Sequence, residues 1–196
     1  MSAIDELFQK LRRENKRAFM PFVTAGDPDL GFTAEVLQQL DAAGCHLVEL
    51  GIPYSDPIAD GPTIQASYTP ALNGGTKLDA IFETVSGVSG DLSMPVVTMV
   101  SYAIVFRMGI ETYLDRAIAA GVSGLIVPDM PVDESAELAA KCAAKRAARQ
   151  LQLRVAGWRR ADGGRSFRIC RFGLSGRRAR AQSLEEVRTS RVPKLS

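Results

Sequence analysis

The segment HLVELGIPYSDPIADGPTIQ, His46 to Gln65, runs a short unbroken apolar stretch straight into a stiff acidic loop. HLVEL (46–50) is too short for an amphipathic helix. It reads as a strand buried on both faces, the kind found in parallel sheets. It delivers a carboxylate, Glu49, near its end, and Pro53, Pro57 and Pro62 then restrict a loop that holds Asp56 and Asp60.

Similar runs recur on either side. AFMPFVT (Ala18–Thr24), MPVVTMV (Met94–Val100) and GLIVP (Gly124–Pro128) each read as a buried strand. The intervening segments carry helical spacing. Ile4, Leu7, Phe8 and Leu11 mark a first helix with Ser2 as N-cap, and a second, from about Leu30 to Ala43, turns Leu37 and Leu40 inward. After the quoted loop, Thr76 and Asp79 resemble a capping pair for a helix whose Leu78, Ile81, Phe82 and Val85 share a face. Ile110, Tyr113, Leu114, Ala117 and Ile118 mark the next, and Asp133 caps a last one running to about Ala148.

Four consecutive βα units imply a parallel sheet covered by helices, the α/β class. No glycine-rich fingerprint follows the first strand, which favours a (β/α)₈ TIM barrel over a dinucleotide-binding sheet. Barrel chemistry sits at the C-terminal ends of strands. Glu49 is placed there, as are Thr24, Tyr102 and Asp129. Only the first four units of such a barrel are recognisable, and past residue 148 the strand–helix regularity is expected to fail.

The chain has 196 residues, 46% of them hydrophobic, and a net charge of +2. That balance hides two halves. Residues 1–142 hold 9 Lys+Arg against 19 Asp+Glu, whereas 143–196 hold 15 against 3, thirteen of them arginine. No apolar run approaches the roughly 18–20 residues of a membrane span. The amphipathic first helix, with Asp5 and Glu6, does not read as a secretory signal. Cys45, Cys142 and Cys170 lack metal-ligand spacing and fit reduced thiols of a cytoplasmic protein. The lone histidine, His46, excludes a histidine-rich metal site.

Glu49, flanked by Leu47, Val48 and Leu50, is expected to be partly desolvated, which raises its pKa and suits it to give and take a proton in turn. The competing reading pairs it with a lysine or arginine on a neighbouring strand. Asp60 is either a turn-forming residue or a second functional acid on the same rim. Phe22 is either core or pocket wall.

The stretches PFVTAGDPD (21–29), VELGIPYSDPIADGPTIQ (48–65) and GLIVPDMPVDES (124–135) closely resemble the α subunit of tryptophan synthase, and the likeness runs from about residue 2 to about 145. The resemblance implies a TIM barrel that cleaves indole-3-glycerol phosphate to indole and glyceraldehyde 3-phosphate, a retro-aldol step. Glu49 then matches the general acid/base and Asp60 the carboxylate that binds the indole N–H. Phe22 and Tyr102 match positions lining the indole pocket, although SYAIVFRMG (101–109) is shorter than the family pattern and lacks the usual asparagine after the tyrosine. No cofactor is expected in this chain. Pyridoxal phosphate belongs to the β subunit, with which an α₂β₂ heterotetramer is expected and towards which the loop after Glu49 faces.

The family's substrate phosphate is held by backbone amides in the second half of the barrel, and none of those motifs follows residue 145. Gly163, Gly164 and Gly173 lack the strand–loop–helix context. Residues 1–145 therefore read as the first half of a barrel domain. Residues 146–196 read as an arginine-rich tail, out of frame or disordered, since a GC-rich gene read out of frame yields arginine, alanine and glycine. The alternatives are a divergent second half-barrel or a polyanion-binding extension with Trp158, Phe167 and Phe172 among its arginines. A further functional alternative is an inactive fragment that at most docks on the β subunit.

Overall fold

In a computed structural model, which describes residues 3–131, 134–147 and 152–154, the apolar runs lie side by side as parallel strands. They are β1 (Phe22–Thr24), β2 (Val48–Gly51), β3 (Val96–Met99), β4 (Gly124–Ile126) and β5 (Gln152–Arg154), paired in the order β1-β2-β3-β4-β5. The four expected strands are all present but shorter than their apolar runs. Pro21 and Pro95 explain two of the late starts: neither has an amide hydrogen, and each contributes only its carbonyl, to Glu49 N at 2.9 Å and Val48 N at 3.2 Å.

Seven helices alternate with these strands among the described residues: α1 (Ala3–Arg13), α2 (Leu30–Ala42), α3 (Pro62–Asn73), α4 (Leu78–Ser89), α5 (Tyr102–Met108), α6 (Ile110–Ala119) and α7 (Ser135–Ala147). Asp29 opens α2 by accepting from Phe32 N at 2.7 Å. At the other end of α2, Asp41 accepts from Ser93 Oγ at 2.7 Å and Met94 N at 2.8 Å, tying that helix to the approach of β3.

Strand alternation gives the sheet two faces. Val48, Leu50, Val96, Thr98 and Leu125 share one, packed against Leu37, Val85, Tyr113 and Leu114 of the helix layer. On that side Tyr113 is fully buried, its ring edge-on to Phe82 at 5.5 Å. The register places Phe22, Glu49, Val97 and Gly124 in one row of the opposite face, with Thr24, Gly51, Met99 and Ile126 in the next. On this opposite face Ile4, Leu7 and Phe8 of α1 pack with Leu47, Val97 and Ile126. Glu49 thus shares its face of the sheet with the α1 contact.

Several expectations need correction. The segment 62–73 is helical, as is the short α5, and neither was anticipated from the sequence. Thr76 does not cap α4. The residue before that helix is Lys77, without a side-chain cap bond, and Thr76 instead packs on Gly26, where an added Cβ would lie 2.3 Å from Thr76 Oγ1. The run 18–24 is not buried on both faces. Phe19 is 61% exposed and Phe22 and Val23 are half-buried, because among the described residues β1 has a neighbour on one side only. Past residue 148 the described residues hold one further strand, β5, which adds to β4 through backbone bonds that need no apolar period. Ser2, Asp133 and most of the arginine-rich tail lie outside the described residues.

Candidate active site

Glu49 is the one carboxylate that β2 itself carries, on the face of the sheet that α1 contacts. Burial holds its pKa above the ordinary 4.5, and no other cause contributes. Among the described residues no lysine or arginine pairs with it, so the neighbouring-strand ion pair is not what occupies this position.

The loop after β2 is pinned by Gln65, whose Nε2 donates to the carbonyls of Pro57 (3.1 Å) and Asp60 (2.9 Å). Asp60 N also donates to Pro57 O at 3.2 Å. The turn is thus built from Asp60's backbone, which leaves its carboxylate available. Burial raises the pKa of that carboxyl, and the nearby charge of Asp129 raises it further. Asp129, just beyond β4, is itself fixed: Ser101 Oγ donates to one oxygen at 2.6 Å and Tyr102 N to the other at 2.7 Å. Asp60 and Asp129 follow the C-terminal ends of β2 and β4, so both stand on the rim above Glu49.

Helix α3 covers the β1 side of this rim. Pro62 begins it, where a missing amide hydrogen costs nothing. Ser67 Oγ donates to Ile64 O at 2.8 Å and takes the Thr24 hydroxyl at 2.6 Å, fastening α3 to the end of β1. Tyr68 is buried, 3% exposed, and its hydroxyl titrates well above its ordinary value, through burial first and then the charges of Asp60 and Asp129. It joins Asp60, Asp129 and Phe22 in one cluster. Phe22 is half-buried, the register partner of Glu49, with its ring lying over Gly51.

Tyr102 sits at the same rim but faces a different neighbour. Its hydroxyl is bonded to Glu134, which with some burial and the charges of Glu134 and Glu137 pushes its pKa up to about 12. Its ring lies 5.9 Å from that of Phe106, which is 66% exposed. Tyr102 reaches the acid cluster through its backbone amide on Asp129.

The sequence reading missed Tyr68 and Gly51. The spacing Ile64, Ser67, Tyr68, Ala71, Leu72 would have revealed Tyr68, being one face of a helix starting at Pro62. Among the described residues no group of three or more His, Cys, Asp or Glu could hold a metal ion. No helix there is long and apolar enough to cross a membrane. Two surface depressions, about 260 Å³ beside Pro28 and Thr76 and about 600 Å³ between α6 and α7, contain neither Glu49 nor Asp60.

A parallel βα sheet with its isolated acids on the C-terminal rim has the layout of a barrel enzyme. The model of the tryptophan synthase alpha chain family matches residues 8–151, and the chain belongs to that family. It is 48% identical over 145 residues to the tryptophan synthase alpha chain of Microcystis aeruginosa, covering 74% of this chain and 55% of that one. With that of Synechocystis the identity is 50% over 138 residues, covering 70% and 52%. The crystal structure of tryptophan synthase subunit alpha from Legionella pneumophila superposes with a TM-score of 0.72 at 29% identity, over 79% of this chain and 57% of that one. The Pyrococcus furiosus alpha subunit gives 0.65 at 37%, over 71% and 54%. The fold class is that of the TIM barrels, and the chain spans about half the length of the curated relatives it matches.

Proposed function

We propose that this chain carries the indole-side half of a site that cleaves indole-3-glycerol phosphate to indole and glyceraldehyde 3-phosphate, the retro-aldol lyase step of tryptophan biosynthesis. The observation that carries the reading is Glu49: a carboxylate without a cationic partner among the described residues, held on a strand, desolvated so that its pKa rises towards the range where it can act as acid and base. In this reading Glu49 moves a proton between the glycerol hydroxyl and C3 of the indole ring. Asp60 accepts the indole N–H and stabilises positive charge as the ring becomes an indolenine. Phe22 and the Tyr102 region wall the ring.

The half-length match supports a division of labour. In this reading residues 1–145 form the first half of the domain, and the groups that hold the phosphate belong to its second half. Remote binding groups orient a substrate, so a chain without them turns over poorly. The partner in this reading is the tryptophan synthase β subunit in an α₂β₂ assembly in the cytoplasm. The proline-stiffened loop, with Ile58 82% exposed at its tip, suits a docking surface there.

Indole itself is the simplest probe. Titrated into the isotope-labelled chain, it is expected to shift the resonances of Phe22, Glu49 and Asp60, and Asp60→Ala is expected to weaken it about tenfold, the worth of one charge-assisted hydrogen bond. Shifts confined to the α6–α7 groove, or affinity untouched by Asp60→Ala, would overturn the reading.

A further inference from the structure

Gly51 closes β2 in ordinary extended backbone, without the positive φ seen at Gly26, Gly44 or Gly75. Alanine would adopt that backbone at lower entropic cost, so the backbone gives no reason for glycine here. The reason lies above it. A Cβ at residue 51 would stand 2.4 Å from Phe22 Cζ and 2.7 Å from its Cε2, and 3.2 Å from the Tyr68 hydroxyl. The Phe22 ring lies across the bare Cα, and Tyr68, buried from α3, closes over the same spot.

We propose that Gly51 is a specificity-determining position: its missing side chain is the seat that holds the Phe22 ring flat on β2 beside Tyr68, and so sets the width of the aromatic slot next to Glu49. The identity of the slot's ligand rests on the reading given above, whereas the seat itself rests on packing. Phe22 and Glu49 are register partners, and Gly51 follows Glu49 on the same face. The ring tip is the far end of a side chain with two torsions, so alanine at 51 is accommodated by lifting it off the strand. Lifting it moves it into the space where a planar ligand would stack.

The test uses the full chain, Gly51→Ala, Phe22→Leu and the double variant, each followed by thermal melting and by titration with indole. Expected is a coupling: Gly51→Ala lowers the melting temperature and weakens indole about tenfold or more when Phe22 is present, and does neither on the Phe22→Leu background. Equal effects of Gly51→Ala on both backgrounds, or none on either, would overturn the seat. A parent chain that does not bind indole, but still shows the coupling in its melting temperatures, would refute the ligand reading while supporting the seat.

Discussion

Replacing Glu49 with glutamine should stabilise the chain near neutral pH. The carboxyl is half-buried, bonded to no cation among the described residues, and its pKa stands above 4.5 because of burial alone. The sign follows from linkage. Below about pH 4.5 both folded and unfolded chains hold the proton and the site costs nothing. As pH rises past that value the unfolded chain ionises first, so stability falls until the raised folded pKa is passed, and stays lower beyond it. A shift of one pKa unit corresponds to about 1.4 kcal/mol of difference between the two protonation states. Removing the charge while keeping the volume should recover about 1 kcal/mol or more, which for a chain of this size raises the melting temperature by about 2–4 °C per kcal/mol. Melting curves of parent and Glu49→Gln are compared at about pH 7 and about pH 4. A glutamine variant that melts at or below the parent at the higher pH, or gains as much at the lower, would refute the desolvated, unpaired carboxylate.

Asp41 should behave in the opposite sense. Burial alone would raise its pKa, but the bonds from the Ser93 hydroxyl and the Ser93 and Met94 amides outweigh it and hold it below the ordinary 3.8. Its contribution is therefore present above that value and lost as pH falls through the depressed pKa. Asp41→Ala should cost about 1–3 kcal/mol in denaturant titrations near neutral pH, and a loss persisting undiminished in strong acid would contradict this. Leu50→Ala, fully buried against the helix layer, should cost about 2–5 kcal/mol by the same measurement. The Cys142 thiol, buried and pushed up to about 12 chiefly by that burial, should resist alkylation in the native chain and react on unfolding, as peptide mapping would show.

The four strands were legible because each lies in a short apolar run bounded by turn residues, although only the inner three are buried on both faces and β1, at the edge, is not. Glu49 was legible for the same reason, an acid inside such a run. Its pairing state was not, because whether a cation lies on the next strand depends on register. Helix α3 was obscured by Pro62 and Pro70 and by the absence of a capping side chain at Gly61. The structure shows why these are tolerated. Pro62 needs no amide hydrogen, and Pro70 and Ala66, whose carbonyl Pro70 leaves unbonded, are both exposed. With α3 unread, Tyr68 could not be placed on the rim, nor Gly51 understood as a seat. Strand β5 left no mark because three residues of backbone pairing require no side-chain pattern. Asp129 could be placed at a strand end, but its two bonds to Ser101 and Tyr102 depend on where α5 begins.

The most direct measurement is indole release from indole-3-glycerol phosphate by the purified chain, with and without β subunit. It is run beside a version completed by the second half-barrel of a relative, and beside Glu49→Gln in both. Expected is little or no release by the chain as it stands and clear release by the completed version, abolished by Glu49→Gln. Release by the completed version that survives Glu49→Gln would contradict the assignment of the acid/base to β2.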